Sequence, residues 1–214
     1  MKSKQKNFSY LFLLATVISL NSWAQPTREI DFQPLSQEML NNPEPEDWLM
    51  WRGGYENWGY SPLEQIDREN VSELTLSWSW EFAPAAPGSN GMQVEPTVYD
   101  GIMYVRHSNE KYSAHDAATG DLIWEYSRPL ASEVAGYETR LTVHRGRGVF
   151  IYEDNLISHA TDGMLFALDP QTGRLKWEVA MQDFRSGQQP SGAPVGFRGS
   201  LVVPYNCTAW TAPD

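Results

Sequence analysis

Residues Ala114–Trp124 read AHDAATGDLIW, and residues Ala167–Trp177 read ALDPQTGRLKW, which repeats the pattern A-x-D-x-x-T-G-x-x-x-W with an offset of 53 residues. The Asp of this pattern can accept hydrogen bonds from the backbone N–H groups of a turn, and the Gly can adopt a left-handed backbone conformation. The Trp falls on the strand after the turn. The two copies therefore predict a recurring strand–turn–strand unit.

A hairpin signature accompanies the units. Residues Pro96–Val105 are echoed by Pro194–Val203, and with a shorter copy between them the signatures begin at Asp100, Asp154 and Arg198, with spacings of 54 and 44 residues. Asp-Gly and Asp-Asn pairs favour tight hairpin turns because both residues tolerate positive φ. A period of about 40 to 54 residues that carries four short strands has the size of one β-propeller blade.

Short strands make up nearly all of the predicted structure, and no segment after the N-terminal apolar run has sustained helical spacing of apolar residues. The strands are predicted at Leu74–Trp80, Thr97–Tyr99, Ile102–Val105, Leu122–Tyr126, Val149–Tyr152, Leu156–Ser158, Leu165–Leu168, Leu175–Val179 and Leu201–Val203. We therefore expect an all-β propeller of which the first two to three blades are present. A Trp that recurs once per blade fits between neighbouring blades; Trp124 and Trp177 are expected there, with Trp78 or Trp80 as the counterpart one blade earlier.

Residues 1–24 have the composition of a secretory signal peptide. Three lysines precede the apolar run Leu11–Leu20, and Ser22 and Ala24 are small residues at positions −3 and −1 before Gln25. The apolar run has about half the length that a membrane-spanning helix needs. No later segment is longer or more apolar, so export without a transmembrane segment in the mature chain is expected.

The remaining chain divides into two regions. Residues 25–47 are polar and contain four prolines, which predicts an arm that lies on a surface. Residues 48–214 carry the blade pattern. A propeller closes into a ring of about four to eight blades because closure hides the strand edges. Two to three blades cannot close a ring, so this region is expected to be a partial propeller that is truncated at its C-terminus. The alternative is an open arc whose ends are capped by something else.

Charge and histidine spacing argue against two classes of site. The formal net charge is −11, and loss of residues 1–24 with their three lysines makes it −14. Such a surface repels phosphate backbones, so nucleic acid is not an expected partner. The histidines His107, His115, His144 and His159 lack the short paired spacing of a metal site. Each is expected on the surface or in a turn.

Several motifs within Asp47–Asp214 occur in a specific order. They are Trp51-x-x-x-Tyr55, Tyr60-Ser61-Pro62-Leu63-x-Gln65-Ile66, Asn70-Val71-x-x-Leu74-x-x-x-Trp78, the first hairpin and the two turn motifs. In this order they resemble the N-terminal part of the quinoprotein alcohol dehydrogenases, which use pyrroloquinoline quinone (PQQ).

The resemblance implies an eight-bladed periplasmic propeller that binds PQQ near its axis beside Ca²⁺ or a lanthanide. Such enzymes oxidise an alcohol or aldose-type substrate and pass two electrons to a cytochrome or a membrane quinone. The catalytic Asp of the family lies in later blades, so no catalytic residue is expected in this sequence, and the fragment alone is expected to be inactive. The alternative hypothesis is a non-catalytic quinoprotein-like propeller that acts as a scaffold for protein binding.

Two candidate cofactor-binding residues follow from the resemblance in the first blades. Gln93 takes the position of a PQQ-contacting Glu, with Glu95 two residues later; it could hydrogen-bond a quinone or cap a strand. Arg147 matches an arginine that reaches the PQQ carboxylates, a contact that suits a guanidinium, or it is an exposed loop residue. The adjacent cysteines of many members fall at residues 141–142 and are missing, and Ala160 replaces a common cofactor-binding Thr.

Two further candidates, Asn206 and Cys207, lie in the final segment. The segment Tyr205–Ala209 takes the place of small residues followed by a metal-binding Glu, and that Glu falls at Ala209. Hard cations depend on carboxylates, so the case for calcium is weaker and no metal ligand is expected in this sequence. Cys207 is the only cysteine. It is either a buried unpaired thiol or, as the resemblance implies, the partner of a cysteine beyond residue 214.

Overall fold

The computed structural model describes residues 30–81, 93–107, 110–129, 147–186, 189–190 and 192–206. Two four-stranded antiparallel sheets with the same topology dominate it. The first, blade one, contains β1 (Thr97–Tyr99), β2 (Ile102–Arg106), β3 (Lys111–Asp116) and β4 (Leu122–Ser127), and blade two contains β5 (Phe150–Tyr152), β6 (Asn155–His159), β7 (Met164–Leu168) and β8 (Leu175–Ala180). In each sheet the spatial order of the strands follows the sequence. The expected all-β blade architecture is confirmed.

A third unit begins after blade two. Its strands are β9 (Gln189–Pro190), β10 (Val195–Phe197), β11 (Ser200–Val202) and β12 (Tyr205–Asn206); β10 pairs with β11, and β9 pairs with β12. The strands β1, β5 and β10, each the first strand of a hairpin, are neighbours. The Thr97 hydroxyl donates to the Val149 carbonyl at 2.9 Å, and a Cβ added at Gly196 would lie 2.6 Å from the Phe150 ring. The strands β1, β5 and β10 therefore form the inner side of the arc.

Trp124 joins the two blades. It lies on β4 and is 8% exposed, and its indole N–H donates to the Pro170 carbonyl at 2.9 Å. Its ring covers Gly173, in the turn before β8, where an added Cβ would lie 2.5 Å from the ring. The prediction that this Trp packs between blades is confirmed.

Trp78 contacts blade one in the same way. Its indole N–H donates to the Ala117 carbonyl at 3.1 Å, and a Cβ added at Gly120 would lie 2.6 Å from its ring. Trp78, and not Trp80, is therefore the counterpart of Trp124. The segment before blade one occupies the position that the fourth strand of a preceding blade would take.

Trp177 makes a different hydrogen bond. It is half-buried, and its indole N–H donates to Asn155 Oδ1 of its own blade at 3.2 Å. Its ring packs on Ile157, Leu165 and Ala167. Leu201 and Val203 of the third unit pack against the same cluster, so Trp177 lies on the side of blade two that faces the third unit. The turn that would cover its ring lies outside the described residues, so the expectation that the ring packs between two blades stays a prediction.

The predicted strands match the observed ones to within two residues, with one exception. Residues 74–80 form no ladder with any described residue, since no strand lies beside them. The list of predicted strands also lacks β3, β9, β10 and β12. The sequence of β3, KYSAHD, mixes charged and apolar residues although its four central residues are buried. A helix, α1 (Gln37–Asn41), and two 3₁₀ turns, Val71–Glu73 and Phe184–Ser186, are also present. No helix in the described part of the chain is long and apolar enough to span a membrane.

The hairpin turns differ from the prediction by one residue in blade two. The strand pairings place the two-residue turns at 100–101, 153–154 and 198–199, so the spacings are 53 and 45 residues. Asp100, Glu153 and Arg198 have φ values of +49°, +53° and +49°. Glu153, and not Asp154, is therefore the equivalent of Asp100. The burial of one strand face fixes this register, since a slip of one residue would expose it.

The segment before blade one belongs in part to the core. Leu35 pairs with the backbone of Glu153, and Trp48 pairs with the backbone of Val98. Leu35 and Leu40 are 0% and 1% exposed. The expectation of a surface arm is wrong for these apolar side chains. They are separated by polar residues, so the sequence pattern did not indicate that they are buried.

Candidate functional site

The segments that precede β1, β5 and β10 meet at one edge. They are residues 93–96, 147–149 and 192–194, called the inner edge below. The Glu95 N–H donates to the Arg147 carbonyl at 3.3 Å. A Cβ added at Gly148 would lie 3.0 Å from the Glu95 carbonyl and 3.9 Å from the Ala193 Cβ. The structure therefore brings the segment that carries Gln93 beside the segment that carries Arg147.

The Arg147 side chain is exposed at this edge. Its guanidinium lies over the Trp51 ring, 5.6 Å from the ring centre, and no described carboxylate forms an ion pair with it. A cation held against an aromatic face keeps its charge and several donors for another ligand. Arg147 can therefore bind an anionic group.

Gln93 and Glu95 have different roles. One carboxylate oxygen of Glu95 accepts hydrogen bonds from the Trp48 indole and from the Arg52 N–H, the latter at 2.7 Å. Glu95 therefore fixes the loop that carries Trp51. Gln93 is exposed, so of these two side chains the amide is the one open to a ligand.

The other two candidates are only partly described. Asn206 pairs through its backbone with Gln189 in the β9–β12 ladder, while Cys207 and Ala209 lie outside the described residues. The preceding Tyr205 was missed by the sequence reasoning. Its hydroxyl is buried without a hydrogen-bond partner among the described residues, and burial raises its pKa. A buried unsatisfied hydroxyl costs about 1–3 kcal/mol, so a ligand oxygen would be favourable beside it.

A buried ion pair lies behind the inner edge. Arg106, the last residue of β2, and Glu110 are 4% and 0% exposed, with 3.2 Å between the charged atoms. Glu110 also accepts from the Thr161 hydroxyl at 2.6 Å, from the Thr161 N–H at 3.0 Å and from the Tyr112 hydroxyl at 2.9 Å. Burial alone raises the pKa of Glu110, but Arg106 and these donors outweigh it and the pKa is lowered. The pair remains charged.

His159 extends this network to the third unit. Its Nε2 lies 2.5 Å from the Gly192 carbonyl, and its Nδ1 lies 3.2 Å from the Arg106 guanidinium. A carbonyl only accepts, so Nε2 carries the proton and Nδ1 accepts from Arg106. Burial and the Arg106 charge lower the pKa of His159 to about 3. The imidazole is therefore neutral at physiological pH.

A second chain of hydrogen bonds holds two more histidines in blade one. His115 Nδ1 donates to the Gly120 carbonyl at 3.2 Å, so its Nε2 accepts from the Ser113 hydroxyl at 2.8 Å. The Ser113 oxygen in turn lies 2.5 Å from His107 Nε2. Burial and His115 lower the pKa of His107 to about 4.

The expectation that the histidines lie on the surface or in turns is therefore wrong for His107, His115 and His159. Each occupies a buried position on or next to a strand, which the polar residues beside it in the sequence did not indicate. His144 lies outside the described residues. No group of three or more His, Cys, Asp or Glu side chains that could hold a metal is present in the part of the chain that is described.

Comparison with known proteins agrees with this architecture. The family described as the β-propeller domain of PQQ-dependent glucose, ethanol and alcohol dehydrogenases matches residues 48–182. The chain belongs to this PQQ family. The chain is 34% identical over 170 residues to the dehydrogenase subunit of a quinone alcohol dehydrogenase of Gluconobacter oxydans (strain 621H). This alignment covers 76% of this chain and 22% of that protein.

Solved structures of family members agree as well. The quinohemoprotein alcohol dehydrogenase of Comamonas testosteroni superposes with a TM-score of 0.62 at 33% identity, covering 75% of this chain and 23% of that one. A quinohemoprotein alcohol dehydrogenase of Pseudomonas putida HK5 has a TM-score of 0.71 at 29% identity, with coverages of 82% and 25%. A europium-containing methanol dehydrogenase has a TM-score of 0.67 at 26% identity, with coverages of 79% and 29%. The chain thus spans about a quarter of the length of the relatives it matches.

The residues of this PQQ family member fit the cofactor better than they fit a metal. PQQ carries carboxylates and quinone oxygens, which need a cation and hydrogen-bond donors. The inner edge offers the Arg147 guanidinium and the exposed Gln93 amide, and the third unit offers the unsatisfied Tyr205 hydroxyl. Ala160 is fully buried, and its methyl group cannot replace the hydrogen bond of a Thr. The described residues supply donors for an anionic quinone and no ligand set for a divalent cation.

Proposed function

We propose that this chain is the N-terminal, cofactor-binding portion of a PQQ-dependent dehydrogenase that oxidises an alcohol. The observation that carries the proposal is the position of Arg147. Its guanidinium is exposed and has no described carboxylate partner at the inner edge, beside the segment of Gln93, within a region that matches the PQQ family.

Arg147 binds the cofactor by its charge. A guanidinium makes two parallel hydrogen bonds to a carboxylate, and such charge-assisted bonds are stronger than neutral ones. The Trp51 ring limits the directions in which the side chain can point, so less freedom is lost on binding. The exposed Gln93 amide would be available to donate a hydrogen bond to the same ligand. When bound, PQQ supplies the two-electron acceptor that amino-acid side chains lack.

The substrate, electron acceptor and compartment are further parts of the proposal. Relatives named quinone alcohol dehydrogenase and quinohemoprotein alcohol dehydrogenase support an alcohol substrate and transfer of electrons to a quinone or a cytochrome. The signal-like residues 1–24 support the periplasm. A relative that contains europium supports a role for a metal ion in the whole protein, although the described residues hold no ligand group for one.

The test uses the product of the complete gene, freed of cofactor and then titrated with PQQ in the presence of Ca²⁺ or a lanthanide and a primary alcohol. We expect alcohol-dependent reduction of an artificial electron-acceptor dye. Loss of one charge-assisted contact in Arg147→Ala should raise the PQQ concentration for half-maximal activity about 10- to 100-fold.

The matched control is Arg198→Ala. The Arg198 guanidinium also lies over an aromatic ring, 4.9 Å from the centre of Phe197, but in a hairpin turn outside the inner edge. This variant should behave as the wild type. No PQQ-dependent reduction by the wild-type protein would contradict the proposal and favour the scaffold hypothesis, and equal effects of the two substitutions would remove Arg147 from the cofactor site.

A further inference from the structure

The contact between His159 and Gly192 connects blade two to the third unit. The proton on Nε2 points to the Gly192 carbonyl at 2.5 Å, and the opposite nitrogen accepts from Arg106 at 3.2 Å. The hydrogen bonds therefore run in one direction, from guanidinium to imidazole to carbonyl. Because both nitrogens have partners, the ring cannot rotate without breaking two hydrogen bonds.

Gly192 passes this restraint to the strand that carries Asn206. A Cβ added at residue 192 would lie 2.4 Å from the Pro204 ring, so the Gly192 backbone packs directly against that ring. Pro204 precedes β12, which pairs with β9 on the other side of Gly192 in the sequence. A shift of the Gly192 carbonyl would therefore move both strands of the β9–β12 ladder.

The other end of the network is fixed in blade one. The Arg106 guanidinium is held by the Glu110 carboxylate at 3.2 Å and lies 5.8 Å from the centre of the Tyr112 ring. Glu110 has a φ of +54°, a conformation that costs free energy for a residue with a side chain. The fold accepts this cost and in return places the carboxylate against Arg106 and Thr161. The anchor of His159 is thus rigid and fully buried.

We propose that His159 is a positioning residue, which sets the place of the β9–β12 ladder, and hence of Asn206 and Tyr205, relative to Arg147 at the cofactor site. The inference rests on the proposed function for its cofactor part. His159 does not touch the ligand; it acts through the Gly192 carbonyl. Through its neutral side chain, His159 connects the strand that carries the Tyr205 hydroxyl to the edge that carries the Arg147 guanidinium.

Two substitutions separate positioning from general stability. His159→Gln keeps an N–H at about the distance of Nε2 and can still donate to the Gly192 carbonyl. His159→Asn is equally polar but too short, and its amide can reach only Arg106. Both variants remove the imidazole and its packing, so a purely structural role predicts equal damage from the two.

The first readout is amide hydrogen exchange without cofactor on the product of the complete gene. In His159→Asn the amides of residues 193–206 should exchange about tenfold faster than in the wild type, because one restraining hydrogen bond is lost locally. Those of β2 and β3 should not change. His159→Gln should stay within about threefold of the wild type throughout. Equal exchange in the two variants, or faster exchange that is spread over both blades, would overturn the anchoring role.

The second readout is the equilibrium dissociation constant for PQQ, measured by quenching of tryptophan fluorescence. It should rise about tenfold in His159→Asn and stay near the wild-type value in His159→Gln. Parallel values would overturn the cofactor part of the inference. If the wild-type protein binds no PQQ, the proposed function fails and this part fails with it, while hydrogen exchange still decides the anchoring role.

A third measurement uses only the wild-type protein and therefore does not depend on whether the two variants fold. Long-range ¹H–¹⁵N spectra of the wild-type protein should show His159 with its proton on Nε2 at pH 7 and unchanged at pH 5. A proton on Nδ1, or protonation of both nitrogens at pH 5, would overturn the directed link from Arg106 to Gly192.

Discussion

Replacement of Gly173 by Ala tests the contact that joins the two blades. Gly173 lies in the turn before β8 with a φ of +68°, and the Trp124 ring covers it. Gly101 lies in the hairpin turn before β2 with a φ of +71°, and an added Cβ there would meet nothing within 4 Å. Gly101→Ala is therefore a matched control with the same backbone conformation and no neighbour.

The two substitutions share one cost and differ in another. An L-residue in the left-handed region costs about 1–2 kcal/mol, and this cost applies to both. Only Gly173→Ala also places a methyl group 2.5 Å from a buried indole, where overpacking costs about 1–3 kcal/mol. We expect a loss of about 1–2 kcal/mol in Gly101→Ala and about 2–5 kcal/mol in Gly173→Ala. The reduced freedom of the unfolded chain is the same for both variants and cancels in the comparison.

Urea unfolding followed by tryptophan fluorescence measures the difference. The free energy of unfolding should fall further in Gly173→Ala at an unchanged dependence on urea concentration, which would show that the extent of unfolding is the same. A Gly173→Ala variant no less stable than Gly101→Ala would refute the close packing of the ring on this turn. It would also remove the main structural argument for the blade interface.

Three other outcomes follow from the same contacts. Gly120→Ala should lose as much free energy of unfolding as Gly173→Ala in urea, since the Trp78 ring lies 2.6 Å from the added Cβ. A loss no larger than that of Gly101→Ala would contradict this. Glu110→Gln should lower the free energy of unfolding by about 3–5 kcal/mol, because it leaves the buried Arg106 cation without its partner. Glu125→Gln breaks the exposed ion pair with Lys111, whose charged atoms are 2.9 Å apart, and should cost less than about 1 kcal/mol. Similar losses in the two variants would contradict the argument from burial. The pKa values of His107 and His159 are lowered to about 4 and about 3, so the unfolded state binds more protons below about pH 6.5 and stability falls as the pH falls. At pH 5.5 His107 and His159 should each reduce the free energy of unfolding by about 1.4 kcal/mol relative to pH 7.5. Burial also lowers the pKa of His115, which therefore adds to the same trend. Thermal unfolding of His159→Gln should lack the His159 contribution, and an unchanged pH dependence would show that this imidazole is not held neutral.

Local chemistry in this chain could be predicted from the sequence. The Asp116 carboxylate accepts from the N–H groups of Ala118 and Thr119 at 3.0 and 3.1 Å, and Asp169 does the same for Gln171 and Thr172 at 2.9 Å each. These bonds form within four residues, so the motif alone contains the information. The repeat then followed from recurrence of the motif, and the blade size from its period.

The remaining features depend on contacts that are distant in the sequence. His159 and Gly192 are 33 residues apart, and neither has a local neighbour that marks the contact. The strand β3 has too many polar residues to show a buried face, because its Ser113 and His115 satisfy each other inside the blade. Gln93 and Arg147 were named by resemblance, and only the fold shows that their segments are neighbours.

The most direct measurement is a crystal or cryo-electron-microscopy structure of the complete gene product loaded with PQQ. We expect a PQQ carboxylate within about 3 Å of the Arg147 guanidinium, the distance of a charge-assisted hydrogen bond, with the cofactor at the inner edge between residues 93–96 and the third unit. A cofactor bound elsewhere, with Arg147 still lying over Trp51 and no carboxylate near it, would contradict the assignment of this edge.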